Sequence, residues 1–554
     1  MNQSALSQLP KPFVLIILDG LGVAPASKGN AVTIAQPKYL EYYWQNFPHC
    51  YLNASGTSVG LPSGVVGNSE VGHMSIGSGK VIFQEIARID KEIEEKVFLN
   101  NQVMLDATNH VKNNNGKLHI MGLLSDGKVH SSIDHAIACL EFARNAGIQG
   151  DKVFIHVFTD GRDTSPQSAP KFIEKLEKVC KQYKVGRVAT IIGRYFAMDR
   201  DNRWDRTQKA YDLIVSGKGA QFEKWQEGLK ASYDQNKTDE FLEPIVITKN
   251  GAPLTTVSPG DSVVFFNYRA DRAVQITKAF ESDNFQGWQR QKIENLYYAG
   301  FSNYEKGIPM TRAKEDIAHH GGESAMVKDL FAAELSKSDK GYPPNQIFPP
   351  ERVDYSLGRV ISDNGLKQLR ITESEKFPHV TYFFNCRKKD PFPGEDRIEI
   401  PSPKEVKTYD QKPQMSSYEV TNTLIQKINE NIYDFILVNY ASTDMVPHTG
   451  ALDASIKAVK AVDECIGQII NVILQKGGAA ILTADHGNAE ELVNLQTGKV
   501  DTEHSTNPVS FIYVRNGYKS KELNFGILAD VAPTIISSLR LQKPETMTGR
   551  NLLS

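Results

Sequence analysis

Short, wholly apolar runs recur along this chain, and several stop abruptly at a polar cluster instead of alternating apolar with polar residues. A strand with one wet face alternates, whereas a strand covered on both faces does not, so these runs read as interior strands of parallel sheets. The first is Phe13 to Leu18 (FVLIIL), followed at once by Asp19-Gly20. Towards the other end come Tyr433 to Tyr440 (YDFILVNY) before ASTDMVPH, and Ala479 to Thr483 (AAILT) before ADHGN. Between those two, Ile456, Val459, Val462, Ile466, Ile470 and Ile473 recur at helical spacing up to a Gly-Gly stop. That stretch predicts a βαβ unit.

The middle of the chain repeats the pattern four times. Lys117 to Leu124 runs into Ser125-Asp126-Gly127, Lys152 to Phe158 into TDGRDTSP, Arg187 to Ile192 into GRYFAMDRDNRWDR, and Ser262 to Phe266 into NYRADRA. Helical patterns, IDHAIACLEFARNAG and APKFIEKLEKVCKQY, separate the first three. Alternating β and α predicts an α/β fold, and a chain of 554 residues exceeds what one core usually organises. Two domains with parallel-type sheets covered by helices are therefore expected. Such sheets bind ligands beyond the carboxyl ends of their strands, where the polar clusters sit.

The clusters also sort by position. Asp and His follow strands at the two ends of the chain, and arginines follow strands in the middle. If the Asp/His groups converge, residues 1–83 and 346–554 form one domain and residues 84–345 form a second α/β domain inserted into it. An accessory segment at about 305–345 is charge-mixed and flanked by Gly and Pro, and its His319-His320 pair follows no buried strand, so that pair is read as solvated.

Composition is that of a globular protein, 40% hydrophobic and 23% charged, with a formal net charge of -2. That balance gives no reason to expect nucleic acid or an anionic membrane as a partner, so any anion site has to be local. Five cysteines without CxxC pairs suit a reducing compartment. The start MNQSALSQLPKP lacks the basic and apolar parts of a signal peptide, and no run approaches the length of a membrane span. A cytoplasmic location is expected.

Asp19, Asp444, His448, Asp485, His486 and His504 are the candidate metal ligands. The right-handed crossover of a βαβ unit brings the carboxyl ends of both strands to one edge, so the loop of Asp444 and His448 can approach that of Asp485 and His486. Mixed carboxylate and imidazole ligands suit manganese or zinc better than magnesium or calcium. Six ligands are more than one tetrahedral ion needs, and two metals fit better. For any one of them alone, an ordinary loop or helix-cap role is the favoured reading. Their joint occurrence after three buried strands favours metal.

GVVGNSEVGHMSIGSG, residues 64–79, sets Ser69 among Gly67, Gly72, Gly77 and Gly79. A hydroxyl becomes a useful nucleophile towards phosphorus only when a base or metal removes its proton. The glycines would permit left-handed torsions and close approach of main-chain N–H groups to an anion. Asn68 could donate to a phosphoryl oxygen, and Glu70 and His73 would orient the loop or a ligand. On the stretch alone, a mobile Gly/Ser-rich loop is an equal reading.

GNSEVGH, with DGLG, STDMVPH, TADHGN and EHSTNP in that order, resembles the cofactor-independent phosphoglycerate mutases of the alkaline phosphatase superfamily. The similarity runs through DGRD, GRY-x3-DR, NYRADRA, LRITESEKFPHVTYFFN and PFPGEDR to LADVAPTI and MTGRNL, covering nearly the whole chain. The resemblance implies an alkaline-phosphatase-like domain carrying an inserted one, and interconversion of 3- and 2-phosphoglycerate through a phosphoserine on Ser69 without 2,3-bisphosphoglycerate. It implies one metal on Asp444, His448 and His504 and another on Asp19, Ser69, Asp485 and His486. The ions would be manganese, with zinc, cobalt or magnesium as alternatives, and no organic cofactor is implied.

Arginines following three middle strands match phosphate and carboxylate oxygens in bidentate fashion, but the interleaved aspartates make structural ion pairs the slightly favoured reading from spacing alone. The resemblance assigns His130, Arg162, Asp163, Arg194, Arg200, Arg269, Arg272 and Lys376 to the phosphoglycerate, with Asp163 a candidate base and Lys376 a cation near the transferring phosphoryl group. Arg203 and Arg206 fall outside that set and are read as solvated or paired. Closure of the inserted domain would keep water from the phosphoenzyme. The resemblance also implies a monomer. Ser442-Thr443 and Pro447 stand where the family usually has Asn-Pro and Gly.

Overall fold

The computed structural model describes residues 9–304, 343–349, 351, 353–494 and 497–554. Apart from residues 343–345, the accessory segment, with its His319-His320 pair, lies outside the described residues. The chain divides into two compact units, Met1–Ala87 with Glu351–Ser554, and Arg88–Pro350.

In the first unit, Phe13–Leu18 is buried at all six positions and lies at the centre of a sheet. Phe435–Tyr440 and Ala479–Thr483 flank it in parallel, with Leu18 opposite Tyr440 and Ile17 opposite Thr483. The two strands of the βαβ unit are thus separated by one inserted strand. The helix between them, Leu452–Gln475, buries Val459, Val462, Ile466, Ile470 and Ile473 in the core, with Ile456 packed at its margin. Because these three parallel strands end at the same level, the segments beginning at 19, 441 and 484 leave the sheet side by side. This register builds the site.

Outside these lie Gln368–Glu373 and Glu395–Ile400, also parallel. On the other flank Val509–Arg515 runs antiparallel to Ala479–Thr483, and Pro48–Asn53 antiparallel to Val509–Arg515. The sheet is therefore mostly parallel rather than wholly so. Gln368–Glu373 is buried at every position yet reads QLRITE, so a search for apolar runs passes over it. Its Arg370 is accommodated between the rings of Phe384 and Phe435 and donates to Gln368 Oε1 at 2.6 Å.

The second unit has its own mostly parallel sheet, ordered Asn345–Gln346, Tyr297–Gly300, Ser262–Phe265, Leu118–Leu123, Val153–Thr159, Arg187–Gly193, Ile245–Lys249 and Ala220–Phe222. Ile245–Lys249 pairs antiparallel with Arg187–Gly193. Helices Ile133–Asn145 and Ala169–Tyr183 follow the strands as the sequence pattern predicts. All five cysteines are free thiols, and only Cys386 is more than marginally exposed. No described helix is long and apolar enough to cross a membrane.

Candidate metal centre and anion-binding residues

Ser69 does not lie in a loop. It opens the helix Ser69–Ser78, for which Asn68 is the N-cap, its side chain accepting from the Val71 amide at 3.1 Å. Asn68 thus serves the helix, and of the four glycines expected to adopt left-handed torsions only Gly79 does so, at the helix end. Gly72 is instead a packing glycine, since a Cβ there would lie 2.8 Å from the Asp485 Cβ. Close approach of the helix to the 485 loop is what sets Ser69 in place.

The Ser69 hydroxyl is buried among charges. It donates to Asp19 Oδ1 at 3.1 Å, lies 2.9 Å from His486 Nε2 and accepts from Lys376 Nζ at 2.8 Å. The Lys376 ammonium also donates to Asp19 Oδ1 at 2.7 Å and to Asp444 Oδ2 at 2.6 Å. His73 accompanies the cluster, with Nδ1 2.9 Å from the Ser69 carbonyl, while Glu70 points to solvent. Asp19 Oδ2 accepts from Asn439 at 2.7 Å, and Thr443 caps the Asp19 carbonyl at 2.7 Å.

All the residues expected to ligate metal lie in this cluster. Asp444, His448 and His504 have ligand atoms within 4.8 Å of one another, and so do Asp19, Asp485 and His486. His448 Nδ1 faces the Thr502 carbonyl at 2.8 Å and His504 Nδ1 faces the Gly67 carbonyl at 2.8 Å. Each Nδ1 is therefore the N–H donor, which leaves both Nε2 lone pairs, 3.1 Å apart, converging on Asp444 Oδ1. Two imidazole lone pairs and a carboxylate oxygen aimed at one point repel one another unless a metal ion, or in its absence a proton, joins them. Asp485 Oδ2 is likewise buried without a hydrogen bond, the nearby His73 Nδ1 being engaged by the Ser69 carbonyl. The donor sets fit divalent cations.

The electrostatics agree. Burial, the largest single influence, would raise the pKa of Asp19 and Asp444, but the Lys376 ammonium together with the neighbouring imidazoles, His486 at Asp19 and His448, His504 and His486 at Asp444, outweighs it and holds both well below the usual carboxylate range. Burial opposes charge on His486, yet Asp485, Asp19 and Asp444 prevail and push it up to about 9. Hydrogen bonding to Asp444 raises His448 against its burial. Three buried carboxylates thus demand positive charge, and the lysine supplies only part of it.

In the second unit the arginines gather at the carboxyl ends of the strands. Arg194, 3% exposed, donates to Asp160 Oδ1 at 2.6 Å and to Asp163 Oδ2 at 2.5 Å. Arg200 and Arg269, each about half exposed, share Asp271 at 3.1 and 3.3 Å. Arg162 is exposed and reaches Glu240 at 3.3 Å, while Arg272 donates to the Met198 carbonyl at 3.1 Å. Burial, and then the charges of Arg200, Arg194 and Arg162, depress the Arg272 pKa, so these guanidiniums crowd one another. His130 lies 4.0 Å from Asp163, and burial together with Arg194 and Arg269 lowers its pKa to about 4. Its ring is neutral at neutral pH. Arg206 pairs with Asp199 and stacks on Tyr195, and Arg203 is exposed.

The chain is 46% identical over 543 residues to the 2,3-bisphosphoglycerate-independent phosphoglycerate mutase of Clostridium novyi (strain NT), an alignment covering 98% of this chain and 99% of that protein. The chain belongs to the 2,3-bisphosphoglycerate-independent phosphoglycerate mutase family.

The family's enzyme from Moorella thermoacetica is 45% identical, with 98% of both chains covered. The family model for the BPG-independent PGAM N-terminus matches residues 89–306. Among solved structures, the Leishmania mexicana phosphoglycerate mutase at low cobalt concentration aligns over 98% of both chains, with 27% identity and a TM-score of 0.51. Members of the family are isomerases. At the departures from the family's usual pattern, Pro447 opens the turn Pro447–Thr449, a position that needs no amide donor, and Thr443 makes the bond to Asp19 described above. The His448 ring still reaches Asp444 at 3.3 Å.

In each unit, residues that hold these side chains in place escape sequence reasoning. Asp160 anchors the loop of Arg162 and Asp163 by accepting both backbone amides at 3.2 and 3.0 Å. Asn488 donates to Asp444 Oδ1 at 2.8 Å, and Asn439 orients Asp19. A polar residue inside an otherwise apolar buried strand, as Asn439 is in FILVNY, is the one signal that could have flagged such a partner.

Proposed function

We propose that this chain interconverts 3-phosphoglycerate and 2-phosphoglycerate without 2,3-bisphosphoglycerate, by way of a phosphoserine on Ser69. What supports the reading most is the environment of the Ser69 Oγ, which lies within 3.1 Å of Asp19, His486 and Lys376 in the family's motif GNSEVGH.

Asp444, His448 and His504 would hold one divalent ion, and Asp19, Ser69, Asp485 and His486 a second. Manganese suits these donors best, with zinc, cobalt and magnesium as alternatives. Bound there, such ions lower the pKa of the serine hydroxyl and neutralise phosphoryl charge. Lys376 donates to the Ser69 oxygen, so it favours the attacking alkoxide and then the phosphoryl oxygens that gather charge beside it. Ser69 at a helix N-terminus adds the partial positive charge of the first-turn amides. Burial of the hydroxyl limits access of water to the phosphoenzyme.

Arg162, Arg194, Arg200, Arg269 and Arg272 would bind the phosphate and carboxylate of the substrate. Neutral His130 offers ring nitrogens to its hydroxyls. Asp163 would accept the proton when the glycerate hydroxyl takes the phosphoryl group back, while Arg194 keeps its carboxylate oriented. No organic cofactor enters. The enzyme acts as a monomer in the cytoplasm, on a small-molecule substrate, with no nucleic-acid or membrane partner.

A coupled mutase assay without bisphosphoglycerate tests the reading. Isomer formation that stops on chelation and returns with manganese is expected. Steady phosphate release without isomer formation would contradict it.

A further inference from the structure

One buried carboxylate outside the proposed ligands joins the loops that carry them. Glu490 is 1% exposed. Its Oε2 accepts from the amides of Gly22 and Asn488, both at 2.9 Å. Its Oε1 accepts from Asn507 Nδ2 at 3.0 Å and from the Ser505 hydroxyl.

These donors come from three segments of the chain that meet beyond the strand ends. Gly22 follows Asp19 by three residues, Asn488 follows Asp485 and His486, and Ser505 and Asn507 follow His504. Main-chain bonds tie the same segments together: Ala489 donates to the Gly20 carbonyl at 2.9 Å and Ser505 to the Gly487 carbonyl at 3.0 Å. Gly22 and Gly487 leave room for the carboxylate, since a Cβ at either would collide with the Glu490 side chain. The motifs DGLG, ADHGN and EHSTNP thus supply both the proposed ligands and the donors that surround this one acceptor.

We infer that Glu490 is a positioning residue for the metal centre, holding the loops of Asp19, His486 and His504 at the spacing the ions require. It belongs to neither of the two candidate ligand groups, and the inference rests on the two-metal reading above. A carboxylate is needed because only two unprotonated oxygens can accept four donors. A glutamine would turn one oxygen into an N–H₂ group facing N–H and O–H donors. Partners of this kind act on metal affinity more than on the chemical step.

The test compares wild type with Glu490→Gln and Ser505→Ala, measuring Mn²⁺ binding by titration calorimetry, the Mn²⁺ concentration for half-maximal activity, and the melting temperature without metal. Glu490→Gln is expected to weaken Mn²⁺ binding about 10- to 100-fold, with kcat recovering at saturating Mn²⁺. Ser505→Ala, which removes one of four donors, shifts the same two midpoints less and carries the test if Glu490→Gln does not fold. A lowered melting temperature with unchanged Mn²⁺ affinity in the folded variant would overturn the inference, since that is what structural glue would produce. Wild type that binds none of manganese, zinc, cobalt or magnesium would instead remove the metal reading itself.

Discussion

Lys376 donates to the hydroxyl of Ser69 across 2.8 Å, although 307 residues separate them in the chain. Asp19 and then Asp444 raise the Lys376 pKa against the effect of burial, which favours the charged ammonium beside the nucleophile. Lys376→Met therefore removes both a transition-state charge and the counter-ion of two buried carboxylates. The expected loss in kcat is about 10²- to 10³-fold with a smaller change in KM. The metal-free variant is expected to lose about 3–5 kcal/mol of stability. Steady-state kinetics and denaturant unfolding measure the two effects, and unchanged kcat would remove Lys376 from the chemistry.

Chelation has a second expected consequence besides inactivation. Any ligand that binds only the folded state raises its stability by mass action, about 2.7 kcal/mol at a hundredfold excess over Kd. Metal-free protein should therefore melt at a lower temperature than protein in manganese, with the gap growing as manganese is raised. Calorimetry at several concentrations would show it, and a concentration-independent melting temperature would argue against ions in the Asp444 and Asp19 groups.

The proposed substrate-binding arginines differ in burial, so their substitutions are expected to differ in what they cost stability. Arg194→Ala removes the buried cation that pairs with Asp160 and with the partly exposed Asp163, leaving the Asp160 charge buried without a counter-ion, so a stability loss of about 3–5 kcal/mol is expected. Arg269→Ala and Arg200→Ala remove half-exposed cations that share one aspartate, and surface pairs contribute about 0–1 kcal/mol. Those two variants should keep the melting temperature of wild type and raise the KM for phosphoglycerate. Loss of stability without a KM change would assign them to structural ion pairing.

Much of this arrangement is readable from the residues, and the exceptions share a cause. FVLIIL, FILVNY and AAILT are legible because a strand covered on both faces needs apolar side chains at nearly every position. Asp19, Asp444, Asp485 and His486 are legible because they follow those strands. QLRITE is equally buried, but what accommodates its polar side chains is assembled only by the fold: Arg370 lies between the rings of Phe384 and Phe435, and Thr372 donates to the Asn439 carbonyl. Glu490 and Asp160 are acceptors for several loops at once, and no spacing along a chain announces such a hub. The glycines near Ser69 are visible as glycines, yet whether they serve torsion or close packing depends on what lies across from them, and at Gly72 it is the 485 loop.

Glu373 makes stability depend on pH. Burial raises its pKa from 4.5 to about 7, the Ser402 hydroxyl and Ser416 amide only partly offsetting this, and Oε2 has no hydrogen bond. A raised folded-state pKa contributes stability that is full below pH 4.5 and lost as pH rises through about 7, because the ionised form is disfavoured in the fold. Glu373→Gln keeps the neutral shape. It is expected to match wild type in melting temperature at acidic pH and exceed it at mildly alkaline pH. Parallel melting curves across that range would show that the carboxyl is not protonated in the fold.

The most direct test of the central claim is to quench the enzyme during turnover of phosphate-labelled phosphoglycerate and map the label by peptide mass spectrometry. The account predicts label on the peptide carrying Ser69, none on Ser69→Ala, and no turnover by that variant. Label elsewhere, or a Ser69→Ala enzyme that still isomerises phosphoglycerate, would contradict it.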